Sequence, residues 1–293
     1  MAEDPYCYPG TTVLRNKFGI RDQAELTRVE GDVVGTQLRL LLKRGVPGDL
    51  SPAWHKRIHR ELFGELYPFA GEYRETHIAK IGEAPYASPA YLETNAEQIF
   101  RELSKSAVLH EDSPERFRRE LARVMGDVHV LHPFREGNTR TLQVAMREIG
   151  ARAGHRLDWA RMDPLILRRA GTAAAYGNYL PYERILETVM PSEARLAFLE
   201  EAKSTMHAAQ TTALTRPMRE QVVSPGDALR GRVIVASDRY VAIATGPESF
   251  AVLERSKLSG SVSVGENVKA RIGVTEIVVE SRAHEGPSRG HRQ

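Results

Sequence analysis

Cysteine occurs once in 293 residues, at Cys7. That excludes an internal disulfide and a cysteine-built metal cluster, and it suits a reducing compartment. No apolar run approaches the roughly 18 residues of a membrane-spanning helix, so no membrane insertion is expected. The N-terminus is polar and carries no signal-peptide pattern. Charge of one sign is also lacking: 41 basic residues against 38 acidic ones leave a formal charge of +3. Without a dense Lys/Arg stripe, the isoelectric point near 9 does not point to nucleic acid.

What is present is ordinary for a soluble globular chain, 41% hydrophobic and 27% charged, and the length suits one sizeable core plus a smaller module. Residues 1–21, rich in Pro, Tyr and Gly, read as an N-terminal arm. From Asp22 to Leu42 apolar residues return at helical spacing, and Lys43-Arg44-Gly45-Val46-Pro47 stops that helix. Ser51-Pro52 opens another, with Ile58, Leu62, Phe63 and Leu66 on its core face. Gly punctuation and partial alternation from Phe69 to Gly82 predict a short β-hairpin or extended flap. Helices follow over about Pro89–Lys105, from Ser113-Pro114 to His132, from about Asn138 onward, and through Asp163 to about Gln210. The chain is thus mainly α up to residue 210.

The pattern then changes. Residues 211–221 are a polar linker. Short β runs follow at Leu229–Val235, Tyr240–Ala244, Phe250–Leu253, Asn267–Ile272 and Glu276–Val279, with a helical piece near Glu254–Leu258. Five strands in so short a span predict a small β-barrel of OB-like type over 222–282. Its only aromatic residues within strand runs are Tyr240 and Phe250, and its charges are mixed, which favours protein contact over single-stranded nucleic acid. Residues 283–293 read as a disordered tail.

The densest chemistry lies at His132–Arg140, HPFREGNTR. A helix ends at His132-Pro133 and a new one begins at Gly137-Asn138, so free backbone N–H groups and a positive dipole end face the loop. Gly137 admits close approach of a phosphate. Glu136 is placed to hold Mg²⁺ together with phosphate oxygens, and Arg140 to pair with a phosphate. His132 suits a general base near neutral pH. These residues together predict nucleotidyl or phosphoryl transfer. The same pattern also fits a capped helix junction carrying a solvent-facing ion pair. Most other histidines, among them His55, His59, His77, His110 and His129, read as structural or exposed. A zinc site is not expected, since His129 and His132 lack a third ligand at suitable spacing.

HPFREGNTR resembles the signature of the Fic family, His-x-Phe-x-Asp/Glu-Gly-Asn-x-Arg. His59-Arg60-Glu61-Leu62-Phe63 and Tyr67-Pro68-Phe69-Ala70-Gly71-Glu72-Tyr73-Arg74 are similar to the family's helix and the lead-in to its flap. The resemblance covers roughly residues 20–200. It implies an all-helical Fic domain over 22–210 with a short β-hairpin flap, followed by the OB-like barrel, as in Bartonella type IV secretion effectors; on that basis the chain would be an N-terminal fragment. The implied activity is protein AMPylation: AMP moves from Mg²⁺-ATP to a target hydroxyl. Carried over by motif position, His132 is the base and Glu136 binds Mg²⁺. Gly137 and Asn138 line the α-phosphate hole and Arg140 pairs with the β-phosphate. Arg135, Thr139 and Gln143 complete the nucleotide set. The flap residues Thr76, His77, Ile78, Ala79, Lys80 and Ile81 hold the target segment by strand addition.

Two departures stand out. Thr139 replaces the usual Gly, and Gln143 replaces a second Arg, which removes a cation from the γ-phosphate end. The implied partners are a host GTPase or cytoskeletal protein and a small antitoxin-like inhibitor. The implied location is the bacterial cytoplasm before secretion and the host cytosol after it. Built-in inhibition in the family uses Ser/Thr-x-x-x-Glu-Gly/Asn; here Glu30-Gly31 follows Leu26, and the arginine such a glutamate pairs with is missing at 143, so no self-inhibition is expected. Two further readings stay open: a non-catalytic scaffold that binds a host protein, and transfer of another phosphate-containing group.

Overall fold

The computed structural model describes residues 4–79, 84–106, 109, 113–159, 164–208, 219–221, 223, 226–273 and 276–282. Two compact units emerge, one of Met1–Leu157 with Leu167–Glu183, the other of Asp158–Ile166 with Arg184–Gln293.

In the first unit, helix α1 (Gln23–Arg44) starts where the Asp22 carboxylate accepts from the Glu25 N–H at 2.8 Å, and it stops at Gly45. Helix α2 (Pro52–Phe63) starts the same way, with Ser51 accepting from Trp54 N and proline in the first turn. Helices α3 (Leu92–Lys105), α4 (Pro114–Leu131) and α5 (Asn138–Arg152) complete the layer, followed by α6 (Pro164–Ala174) and α7 (Leu180–Val189), which the unit boundary crosses. Ile58, Leu62 and Phe63 of α2, Phe100 of α3, Phe117 and Leu121 of α4 and Ile149 of α5 are all but fully buried. Each such side chain contributes roughly 1.5–3 kcal/mol by leaving water. That core fixes the ends of α4 and α5 between which the motif runs.

The second unit holds α8 (Glu193–Ala208) and a sheet of β1 (Arg219–Glu220), β2 (Ala228–Ala236), β3 (Tyr240–Gly246), β4 (Ser249–Glu254), β5 (Asn267–Ile272) and β6 (Ile277–Arg282). The strand order is β1-β4-β3-β2-β5-β6, antiparallel except for the parallel β1–β4 pair. Val233, Val241, Ile243 and Leu253 form one buried face. Ala242, Phe250 and Val252 form the other, which Phe198, Leu199, Ala202 and Met206 of α8 cover. Helix α8 thus belongs with the sheet, although composition alone grouped it with the helices before it.

Two expectations are met only in part. A closed OB-like barrel is not shown among the described residues: β1 and β6 are the edges of the paired sheet, and one parallel bridge, Leu258 to Ile277, joins the chain after β4 to β6. The β-hairpin flap is also absent from the described part of 69–82. Residues 69–79 form turns and irregular chain with no strand, and Lys80 and Ile81 lie outside the described residues. Alternation survives without pairing, since Thr76 and Ile78 are half-buried while His77 and Ala79 are exposed. Gly71, in the left-handed region at φ 88°, bends the chain there.

Candidate active site

The loop between α4 and α5 is pinned at its centre by Phe134, which is fully buried. Its ring stacks on His59 with centroids 3.8 Å apart and planes 11° off parallel, and it also meets His55 and Tyr73. Asn138 then closes the loop on itself, its Oδ1 accepting from Phe134 N at 2.9 Å and its Nδ2 donating to Phe134 O at 2.7 Å. The Asn138 side chain is therefore committed to loop shape, and what it can offer a phosphate is its backbone N–H.

His59 ties two segments together. Its Nδ1 accepts from Gly71 N at 2.8 Å, so the ring proton sits on Nε2, which donates to Glu136 O at 2.9 Å. Burial is the main cause pushing His59 down to about 4 and His55 down to about 3, so both rings stay neutral.

The base end of the loop is strained. His132 caps α4 at φ 43° and ψ 56°, the one non-glycine in the left-handed region among the described residues. That conformation costs an L-residue about 1–2 kcal/mol. Its Nδ1 lies 3.3 Å from His129 O. A carbonyl can only accept, so the proton sits on Nδ1 and the Nε2 lone pair is the basic one. Tyr86 stacks on the imidazole, centroids 3.8 Å apart, and leaves His132 only 4% exposed.

The phosphate end is more open. Gly137 lies at φ 83°, and α5 begins there without a side-chain cap. The N–H groups of Asn138, Thr139 and Arg140 thus have no intrahelical acceptor. A Cβ at Gly137 would fall 2.3 Å from the Phe63 ring, so glycine is required by packing as well as by backbone angle. Glu136 Oε1 accepts from Gly137 N at 2.8 Å and lies 3.4 Å from Arg140. The Glu136 side chain is 43% exposed and can still face a cation. Among the described residues no three His, Cys, Asp or Glu form a metal cage. One carboxylate shared with phosphate oxygens, the usual Mg²⁺ arrangement, fits this loop.

Glu30 has an arginine partner, although not at position 143, where glutamine stands. Arg140 donates to Glu30 Oε1 at 2.6 Å, its guanidinium 4.7 Å from the Phe63 ring centroid, while Tyr67 OH donates to the other Glu30 oxygen. The missing signal was tertiary: the Arg140 partner comes from 110 residues upstream. Arg135, read as part of the nucleotide set, instead donates twice to Asp4 at 2.7 and 2.9 Å. Burial opposes ionisation of Asp4, but the Arg135 and Tyr6 bonds outweigh it and hold the carboxyl below its ordinary value. Gln143, half-buried, lies one turn beyond Arg140 on α5. The structure thus brings together His132, Glu136, Gly137 and Arg140, and it adds Glu30, Arg74 and Tyr86, which motif reading left without roles.

A family model described as Fic/DOC matches residues 49–149. The probable protein adenylyltransferase y4lH of Sinorhizobium fredii is 36% identical over 163 residues, which are 55% of this chain and 83% of that protein. Protein adenylyltransferase VbhT of Bartonella schoenbuchensis is 34% identical over 177 residues, 60% of this chain. The match spans 37% of that relative's length. Among solved structures, BepC of Bartonella tribocorum, described as a VirB-translocated effector with bound AMPPNP, aligns with a TM-score of 0.60 at 27% identity. That alignment covers 64% of this chain and 97% of the BepC chain.

Proposed function

This chain belongs to the Fic/DOC family, and from that premise we propose that it is a protein adenylyltransferase acting on a hydroxyl side chain. The observation that carries the reading is the pairing of the His132 Nε2 lone pair with an uncapped, anion-accepting helix start at Gly137, both held within the nine residues His132–Arg140. His132 takes the proton of a target Ser, Thr or Tyr. The hydroxyl oxygen forms a bond to the α-phosphorus of ATP, and the bond from that phosphorus to the bridging oxygen breaks, releasing pyrophosphate. The N–H groups at the start of α5 hold the α-phosphate, and Arg140 exchanges Glu30 for the β-phosphate. Glu136 would hold Mg²⁺ together with the phosphates, and the ion would supply charge neutralisation there. The relatives' names and the AMPPNP bound to BepC support ATP as donor.

The finer parts belong to the same proposal. Thr76–Ile81 receives the target segment, and Arg135, Thr139 and Gln143 border the nucleotide. The sheet of the second unit is an OB-type module for protein contact; the strand order and the Leu258–Ile277 bridge support it. The likeness to a VirB-translocated effector supports a host protein as target and the host cytosol as the site of action; within that reading the target class proposed is a GTPase or cytoskeletal protein. A small antitoxin-like protein is the partner proposed for inhibition in the bacterium.

The test is to incubate the chain with host lysate, Mg²⁺ and ATP labelled at the α-phosphate. Label enters protein with the wild type and not with His132→Ala. Absence of label with the wild type, despite measurable ATP binding, sinks the reading.

A further inference from the structure

We propose that Arg74 is the positioning residue of this site: it holds the base, His132, in its strained conformation and fixes both stems of the neighbouring segment, at Thr76 and Ala87, to that base. The proposal rests on the function proposed above only for its activity readout.

The geometry is unusual for an arginine. Arg74 is 2% exposed, and its side chain points at three main-chain carbonyls. Nε donates to His132 O at 2.9 Å, one terminal nitrogen to Thr76 O at 2.8 Å, and the other to Ala87 O at 2.6 Å. The Arg74 backbone N–H adds a fourth bond, to Pro133 O at 2.8 Å. One residue therefore grips two successive carbonyls of the motif and both ends of the 77–86 stretch.

The cost and the purpose follow from elementary physics. Burying a guanidinium is expensive, and burial is the main cause lowering its proton affinity. Charge-assisted bonds to several oxygens at fixed angles offset that cost, and only the planar fork of arginine serves three directions at once. What the fork fixes matters here. A left-handed, non-glycine residue persists only where its surroundings over-determine it. The two carbonyls that follow that bend, His132 O and Pro133 O, are both held by Arg74. The same fork holds Ala87 O, next to Tyr86, whose ring stacks on the His132 imidazole, and Ala87 N donates to Val130 O at 3.1 Å. Base and ring cap are thus anchored to one cation. A displacement of about 1 Å at such a base costs on the order of 10²-fold in rate.

Arg74→Met and Arg74→Lys are compared with the wild type in three measurements. The first is the imidazole Cε1–H NMR line of His132 in histidine-labelled protein, assigned with His132→Gln. The second is MgATP binding. The third is the rate of AMP transfer. In the Met variant we expect the His132 line to move, as the Tyr86 ring no longer shields it. MgATP affinity stays within about twofold, because Arg74 touches none of the phosphate end, while transfer falls on the order of 10²-fold. The Lys variant, which can keep one carbonyl, falls between and guards against a Met variant that fails to fold. A folded variant with an unmoved His132 line overturns the proposal. So does a moved line with unchanged transfer, or a loss of transfer matched by an equal loss of MgATP affinity. If the wild type transfers nothing, the proposed function fails, while the NMR line still decides whether Arg74 holds His132.

Discussion

The two ends of the His132–Arg140 loop are built by different means. At the base end, His132 is buried and is held by hydrogen bonds to main-chain oxygen and by a ring stack. At the phosphate end, Arg140 and Glu30 are 31% and 18% exposed in their side chains and are joined by charge. Bonds to fixed carbonyls in a dry site resist salt and solvent; a half-exposed ion pair is exchangeable. The difference matches the proposed chemistry. A base must be in place before the reaction, whereas a phosphate clamp must give up one anion to accept another.

Breaking the base end has the largest expected effect. His132→Ala lowers AMP transfer by about 10³-fold with little change in MgATP affinity, as read by initial rates and calorimetry on the same preparations. Arg140→Met comes next. It lowers kcat/KM for ATP by about 10²-fold, the usual loss for one donor at a developing charge, and unlike His132→Ala it also weakens MgATP binding.

The middle of the loop is probed by pH. His55 and His59, at about 3 and about 4, are neutral in the fold, whereas unfolded histidine titrates near 6.5. Below pH 6.5 the unfolded chain therefore binds more protons, so stability is complete above that pH and is lost as pH falls toward 4 and then 3. The thermal midpoint should drop steeply from pH 6.5 to 4.5, and His59→Gln, which keeps a donor and an acceptor but cannot charge, should flatten that slope.

The smallest effect sharpens the comparison most. Glu30→Gln removes the anion that ATP displaces from Arg140 and should raise MgATP affinity about fivefold, the scale of a partly exposed ion pair. Adding 0.5 M salt should lessen the difference between variant and wild type. An unchanged affinity in low salt would mean that Glu30 and the β-phosphate do not compete.

Helix starts were readable because their causes are local. Asp22, Ser51-Pro52 and Ser113-Pro114 cap and open α1, α2 and α4 through contacts three residues away. The strands of the second unit were readable from alternation and turn residues, and β5 matches its expected bounds, Asn267–Ile272. In the flap, alternation at Thr76–Ala79 reports burial of one side and no strand forms over the described residues 69–79, since pairing is a property of two segments. Closure of the sheet into a barrel failed to show for the same reason: it depends on whether its two edges meet.

By its own local chemistry the sequence determined the helical scaffold and the placing of His132, Glu136, Gly137 and Arg140 within nine residues, since loop and helix start are adjacent in the chain. Only the tertiary structure decided what holds those residues. Arg74 lies 58 residues from His132, and Glu30 lies 110 from Arg140. The partner of a buried donor is set by packing in three dimensions, and no spacing along the chain encodes it.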